Sequence, residues 1–123
     1  MRAFILPEKQ DRWLALLAKP KRRSDITHSL AHSRDIDERW AIPIQSADQT
    51  AAGVSKLLAT KRAPKLCYVI SESGEMDGRE MNLEEAIDAV LGMGLGAIVS
   101  CIPGRLAYYE SEFRTRFFLE RKQ

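Results

Sequence analysis

Two short, nearly continuous apolar runs limit what this chain can fold into more than any other feature of its sequence. They cover residues 66–70 and 97–102. Runs this short, rich in β-branched and aromatic side chains, are typical of strands. Because successive residues of a strand face opposite sides of a sheet, a strand that is apolar at nearly every position is buried on both faces. We therefore expect two central strands, each covered on both sides.

Capping signals and apolar spacing predict helices around these strands. Asn82 and Glu85 have the spacing of a capping box, and Gly92 stands where a helix of that length needs a C-cap. Ser46 and Gln49 repeat the capping-box spacing. Helices are predicted over approximately residues 7–19, 25–33, 46–59 and 82–91.

The remaining apolar segments predict shorter strands. Pro43 cannot donate a ladder hydrogen bond, which indicates that the segment 40–44 lies at a sheet edge. Pro103 and Gly104 form the pair typical of a type II turn, so the chain returns antiparallel to the strand before it. Further strands are predicted at residues 3–6, 106–109 and 117–119, the last of them at an edge.

The order of these elements favours one domain over residues 1–123, of the α/β or α+β class. Alternation of strands and helices between residues 40 and 102 favours right-handed crossovers, which join parallel strands. The turn at Pro103 adds an antiparallel hairpin. We therefore expect a mixed β-sheet with helices packed on at least one face and a C-terminal β-hairpin.

Composition and charge exclude several classes of protein. Of the 123 residues, 45% are hydrophobic and 29% are charged, which is ordinary for a globular domain and excludes a disordered or collagen-like chain. The net charge of +2 does not by itself require a nucleic-acid partner. No apolar run reaches the length of a signal peptide or a membrane span, so we expect a cytoplasmic protein without a membrane partner. Charge is segregated, because the first half of the chain is net basic and the second half is net acidic.

The two cysteines lie one in each of the predicted central strands. Cys67 and Cys101 are expected as reduced, buried thiols, the usual state in a reducing compartment. A disulfide between them would require the two strands to be neighbours in the right register.

One constellation has the spacing of a metal site. On a helix, His28, His32 and Asp35 share one face, opposite Ile26 and Leu30. Two imidazoles and a carboxylate suit zinc or ferrous iron, so a divalent metal is the one cofactor for which the sequence offers candidate ligands. Residue 29 is serine, however, so the catalytic glutamate of a His-Glu-x-x-His motif is absent. A solvated polar helix face explains the same residues.

A basic segment over residues 19–34 is the candidate nucleic-acid surface in the sequence. It combines five basic side chains with the predicted start of a helix, whose amide groups can bind phosphate: Lys19, Lys21, Arg22, Arg23 and Arg34. No aromatic side chains alternate with them, and a solvated loop explains them equally well. Nucleic acid is therefore not the favoured partner.

An acidic loop over residues 71–80 is the favoured ligand-binding segment. It follows a predicted central strand at the end where open α/β sheets place their sites. We expect Glu72 to stand close to the core, with Arg79 as the cation that balances it. The candidate ligand-binding residues are Ser71, Glu72, Asp77, Arg79, Glu80 and, beyond the loop, Arg105.

No motif indicates a catalytic residue. The glycines of 92–96 follow a helix and precede a strand, the reverse of a phosphate-binding loop, and no serine stands in a nucleophile elbow. The leading hypothesis is a non-catalytic ligand- or protein-binding module. A metal-dependent hydrolase using the histidine face and a nucleic-acid-binding protein are the alternatives. Aromatic surface around residues 108, 109, 113 and 117–119 predicts self-association.

Overall fold

The computed structural model describes residues 4–19, 23, 35–93, 95–111 and 116–121, with Glu38 described in its backbone only. Its α-helices are α1 (Gln10–Leu17), α2 (Ala51–Thr60) and α3 (Leu83–Val90). Its strands are β1 (Ala41–Pro43), β2 (Leu66–Ser71), β3 (Glu80–Asn82), β4 (Ala97–Ile102), β5 (Leu106–Glu110) and β6 (Arg116–Glu120). Short 3-10 turns cover Pro7–Lys9, Glu38–Trp40 and Ser46–Asp48. None of the described helices is long and apolar enough to cross a membrane.

The six strands form one sheet in the order β1-β6-β5-β4-β2-β3. The prediction of two central strands is confirmed for β4, in which every residue from Ala97 to Cys101 is buried. For β2 it is confirmed only in part. Its second half is buried on both faces, but Leu66 and Tyr68 are 55% and 38% exposed on one face.

The predicted parallel crossover between β2 and β4 is wrong, because every pairing between the described strands is antiparallel. The chain turns at Gly78, whose φ is +79°, and the next strand, β3, pairs antiparallel with β2. That hairpin carries the chain back to the end of the sheet where β2 began. α3 therefore runs from that end of the sheet toward the other end, and β4 returns antiparallel beside β2.

Apolar side chains bury both faces of the sheet. Because the sheet is antiparallel and helices pack on its faces, this is an α+β domain. On one face α2 and α3 cover β2, β4 and β5, with Val54, Leu58, Ile87 and Val99 at 2% exposure or less in that cluster. On the other face Trp13 of α1 packs with residues of the same strands, including Ile70, Ile98 and Tyr109. The predicted fold class, with helices on at least one face and a C-terminal strand pair β5–β6, is confirmed.

The helix boundaries follow the capping chemistry, with one correction. Asn82 caps α3 as predicted, since its side chain accepts a 3.0 Å hydrogen bond from the amide of Glu84. The predicted start of α2 at Ser46 is wrong, because the chain first makes a 3-10 turn there. Thr50 is the N-cap instead and accepts from the amide of Gly53. The side chain of Gln49 is engaged elsewhere, donating to the carbonyl of Ile44 at 2.8 Å.

Two strand predictions need correction. Residues 3–6 do not form a strand over their described part, where Ile5 makes an isolated bridge to Ile36. The segment 117–119 is not at an edge, because β1 pairs along the outer side of β6 and takes that position with its Pro43. The predicted helix 25–33 lies outside the described residues.

Most of the aromatic side chains that predicted self-association lie in the core. Tyr108 and Tyr109 are fully buried, and Phe118 is 3% exposed. Each packs into one of the two core clusters of its own chain, because helices cover both faces of the sheet. Phe117 is half-buried and packs against one of these clusters, and Phe113 lies outside the described residues.

A buried carboxylate joins four parts of the chain at one end of the sheet. Glu110 is fully buried and accepts hydrogen bonds from the amide of Gly92 at 3.0 and 3.1 Å and from the hydroxyl of Tyr108 at 3.0 Å. The guanidinium of Arg116 donates to it at 2.9 Å and also reaches Gln49 at 3.3 Å. Burial, together with the charge of Glu110, raises the pKa of Tyr108, which keeps its hydroxyl a donor. The carboxylate thus has a full set of partners.

Removing the cation of this buried pair should destabilise the fold far more than removing a cation nearer the surface. Arg116→Met leaves Glu110 buried without its counter-charge, and we expect the free energy of unfolding to fall by about 3–5 kcal/mol. Lys61→Met is the matched control, because the pair of Lys61 with Glu120 is 28% and 16% exposed, and its loss should cost about 1 kcal/mol or less. Urea denaturation measures both, and equal losses would contradict the role given to Glu110.

Candidate functional site

The acidic loop after β2 is held to the neighbouring strand by its own carboxylate. Glu72 donates its amide to the carbonyl of Gly96 at 3.0 Å, and its Oε1 accepts from the amide of Gly96 at 2.8 Å. Glu72 is half-buried, as the sequence led us to expect of a residue just past a buried strand. Its carboxylate, however, accepts this hydrogen bond from a backbone amide just before β4 and not from Arg79. The carboxylate therefore acts as a clamp between the ends of two strands.

The cation of the loop is Arg23, and the prediction that Arg79 fills this role is wrong. Arg23 donates from Nε to Asp77 Oδ2 at 2.7 Å and from Nη2 to Asp77 Oδ1 at 3.0 Å. Both side chains are largely covered, at 18% and 13% exposure. This bidentate hydrogen bonding raises the pKa of Arg23. Arg79 is exposed, and no ion pair joins it to Glu72.

Arg23 closes a small cluster over one face of the sheet. Its guanidinium lies 5.8 Å from the ring centroid of Tyr68, and its Nη1 donates to the carbonyl of Leu17 at the end of α1. A Cβ on Gly78 would stand 3.7 Å from Nη2 of Arg23, and the positive φ of Gly78 already favours glycine. Asp77 Oδ1 also accepts the amide of Ser71 at 3.0 Å. The loop therefore folds around an internal ion pair.

Of the other predicted ligand-binding residues, Ser71 and Glu80 adjoin this cluster, whereas Arg105 does not. Ser71 is buried, and its hydroxyl accepts from the amide of Ser73 at 3.0 Å. Glu80 lies exposed on β3 and lines a cavity of about 240 Å³ together with Tyr68 and Ser100. Arg105 follows β4, and because β4 runs antiparallel to β2, it lies at the opposite end of the sheet from the acidic loop.

Of the predicted metal-binding face, the structure places one residue. Asp35 is 7% exposed and accepts a 2.9 Å hydrogen bond from the indole of Trp13. Its carboxylate therefore anchors a core side chain. His28 and His32 lie outside the described residues. Within the described part of the chain, no three histidine, cysteine or acidic side chains are grouped so that they could hold a metal ion.

The predicted basic segment is described only at Lys19 and Arg23. Lys19 is exposed, whereas Arg23 is committed to Asp77. A guanidinium that already makes two hydrogen bonds to a carboxylate would have to break them to bind phosphate. Lys21, Arg22 and Arg34 lie outside the described residues.

Sequence reasoning missed a groove between α2 and α3. It has a volume of about 660 Å³, within the range of known ligand sites. α2 contributes mostly small side chains to it, and α3 contributes carboxylates. Its lining residues are Ala51, Ala52, Ser55, Lys56, Ala59, Glu84, Glu85 and Asp88. The signal in the sequence was the spacing of Ala51, Ser55 and Ala59, which places small residues on one helical face.

A second missed feature is a tryptophan flanked by two arginines. Arg39 and Arg121 place their guanidinium carbons 5.4 and 4.7 Å from the ring of Trp40. Arg39 also binds Asp37, whose buried carboxylate has its pKa lowered, first by the hydrogen bonds from Arg39. The amide of Arg121 donates to the carbonyl of Arg105 at 2.9 Å, which sets a third arginine beside this group. These residues are far apart in sequence, and only the pairing of β1, β6 and β5 unites them.

Comparison with known proteins adds no relative to this geometry. No protein family model, no curated protein and no solved structure matches the chain. Function is therefore inferred from the contacts within the described part of the chain.

The ion pair of Arg23 and Asp77 should control how readily the chain around Arg23 detaches from the domain. Asp77→Asn keeps an acceptor for the amide of Ser71 but removes the charge that holds Arg23, at a cost of about 1.5–3 kcal/mol. Local opening should increase roughly tenfold for every 1.4 kcal/mol lost, so we expect faster trypsin cleavage at Arg23. Glu75→Gln removes an exposed carboxylate of the same loop and serves as the control. Equal cleavage rates in the two variants would contradict this role.

Proposed function

We propose that this protein is a non-catalytic binding module that holds a cationic helical segment of a partner protein in the groove between α2 and α3. The groove, with small side chains on one wall and carboxylates on the other, is the observation that carries the proposal. Helix-in-groove recognition uses such a surface, because the partner buries its apolar face and its charges choose the orientation.

The α2 wall allows close approach of a partner backbone. Ala51, Ser55 and Ala59 recur at intervals of four residues, so they form one stripe along the helix. Their side chains are short, and the space above them is open. A partner helix with small or apolar residues on its contact face could therefore lie close against α2.

The α3 wall supplies negative charge that the helix itself does not require. Glu84 and Glu85 stand in the first turn, where the helix dipole favours carboxylates. Asp88 stands in the last turn, where the dipole disfavours a carboxylate and no basic side chain compensates it. All three are exposed, and none has an ion pair within the described part of the chain. A cationic partner would relieve this uncompensated charge.

We propose no catalytic activity, because three of the acidic residues that could supply it are already bound within the chain. Asp77, Glu72 and Glu110 each bind a group of their own chain, so they serve the fold. The exposed carboxylates of Glu84, Glu85 and Asp88 line the groove, and that of Glu80 lines the cavity beside Tyr68.

The carboxylates of α3 should determine affinity for a basic amphipathic helix. We expect the triple variant Glu84→Gln, Glu85→Gln, Asp88→Asn to bind a synthetic helical peptide of leucine and lysine at least tenfold more weakly than the unmodified chain. The same peptide with glutamate in place of lysine should not bind. Fluorescence anisotropy at two salt concentrations measures both, since rim charges are sensitive to screening.

Two controls separate the groove from charge alone. Glu8→Gln, Asp11→Asn, Glu75→Gln removes the same charge from exposed positions elsewhere and should leave affinity within about threefold. Ala59→Leu should block the groove by volume, whereas Thr60→Leu, at the next exposed position, should not. If the two triple variants weaken binding equally, the groove is not the binding surface.

A second candidate function, binding of single-stranded nucleic acid, is favoured by the Trp40 group and not by residues 19–34. Stacking on an aromatic ring beside arginines is how sequence-tolerant single-strand sites work. Trp40 is half-buried beside Arg39 and Arg121, which are both exposed. The guanidinium of Arg39 is hydrogen-bonded to Asp37, so Arg121 is the arginine that this proposal assigns to phosphate. This combination of aromatic and basic groups is what the segment 19–34 lacks.

For this second candidate, Trp40→Ala should weaken binding of a short oligothymidylate by about five- to a hundredfold, since stacking contributes roughly 1–3 kcal/mol per base. Arg121→Gln should reduce the dependence of affinity on salt concentration. Arg12→Gln removes an exposed charge of α1 and is the control. Equal effects of Trp40→Ala and Arg12→Gln, or no binding at low salt, would exclude this function.

A further inference from the structure

The two cysteines of the chain face each other across the centre of the sheet. β2 and β4 pair antiparallel with Tyr68 opposite Ser100 and Val69 opposite Val99. Continued by one residue, this register sets Cys67 opposite Cys101. Both belong to the core cluster under α2 and α3, so their side chains share one face of the sheet. The condition that the sequence left open for a disulfide, neighbouring strands in the right register, is met.

The hydrogen bonding shows which kind of cross-strand pair this is. Val69 exchanges backbone hydrogen bonds with Gly78 and Arg79, on its β3 side. Because backbone groups alternate in direction along a strand, Cys67 also directs its own toward β3. Cys67 and Cys101 therefore form a non-hydrogen-bonded pair, the type with Cα atoms about 4.5 Å apart and side chains closest together. That separation lies at the short end of the range of about 4.4–6.8 Å that disulfides span.

The reduced thiols are stable in this position. The Cys67 thiol lies 3.4 Å from the carbonyl of Met81, and the Cys101 thiol lies 3.6 Å from that of Val99. Burial raises the pKa of Cys67 to about 11, helped by the charge of Glu80, and raises that of Cys101 to about 12, helped by Cys67. Few thiolates form at neutral pH, so the pair is slow to react. Both residues are among those that line the 240 Å³ cavity beside Tyr68, but Cys67 and Tyr68 are neighbours on one strand and direct their side chains to opposite faces of the sheet.

We propose that Cys67 and Cys101 are a redox-modification site at which a low-molecular-weight disulfide converts the two thiols into a reversible cross-strand disulfide. The thiolate of one cysteine attacks a sulfur of the oxidant, forms a mixed disulfide and releases one thiol. The thiolate of the other cysteine then attacks the protein sulfur of that mixed disulfide and releases the second thiol. Two protein thiols and one oxidant disulfide thus become one protein disulfide and two small thiols.

The cross-link would close a defined part of the fold. The chain between Cys67 and Cys101 contains the hairpin β2–β3, the acidic loop and α3. A bond between its ends reduces the freedom of the unfolded chain, so the oxidised form should be the more stable one. A sustained oxidising environment would lock this unit, and a reducing one would release it.

Glutathione disulfide, applied to the folded protein in mildly alkaline buffer, tests the proposal. We expect the two free thiols to disappear while the protein stays monomeric, with a mass lower by two hydrogen atoms. A tryptic fragment should join Cys67 to Cys101, and dithiothreitol should reverse it. The melting temperature should rise by on the order of 10 °C.

Single-cysteine variants and an unfolded control make the outcome decisive. Cys67→Ala and Cys101→Ala should each stop at a mixed disulfide with one glutathione, because no resolving thiol remains. Wild-type protein in urea should oxidise readily, which shows that the reagent is competent. Two free thiols persisting in the folded wild type, or only disulfide-linked dimers, would overturn the proposal.

Discussion

The hydrogen bonds and the ion pair of the buried Glu110 carboxylate hold together the end of the sheet at which β5 ends. An ionised group without solvent is tolerated only when hydrogen bonds and a counter-charge replace its hydration. Glu110 meets that requirement with the amide of Gly92, the hydroxyl of Tyr108 and the guanidinium of Arg116. These partners fix the turn after α3, the strand β5 and the strand β6 at one point. Through Gln49 the same arginine reaches the segment that leads into α2. Both helices that form the groove are therefore positioned from this network.

A second polar contact ties the basic half of the sequence to the acidic half. The pair of Arg23 and Asp77 joins the end of α1 to the hairpin of β2 and β3 over Tyr68. Segregated charge in a sequence can indicate a docking surface, but here part of it is neutralised within the chain. The exposed carboxylates of α3 line the groove, so they carry more weight for the proposed function than Asp77 of the acidic loop, which is already ion-paired. The same argument moves the nucleic-acid candidate from residues 19–34 to the group around Trp40.

The cysteine pair illustrates how a feature can be visible in the sequence while its meaning is not. Each cysteine stood in an apolar run, and each is buried, as that position indicates. Whether they could react with each other depended on strand order and register, which are properties of the sheet. A register shifted by one residue would have turned one thiol to the opposite face.

Local patterns determined much of this fold. Short apolar runs identified β2 and β4, Asn82 identified the start of α3, Pro43 identified an edge strand, and Gly104 identified a turn. Each of these signals depends on the conformational limits or hydrogen bonding of residues close in sequence. The sites could not be predicted in the same way. Arg23 and Asp77, Arg39 and Arg121, and Cys67 and Cys101 are each distant in the chain, and the choice of partner followed from antiparallel pairing that one short hairpin decided. Sequence by itself determined most of the strands and helices, but not the short strand β3 or the start of α2. Only the tertiary structure decided which charges meet, because Coulomb and hydrogen-bond energies depend on distances that local propensity does not set.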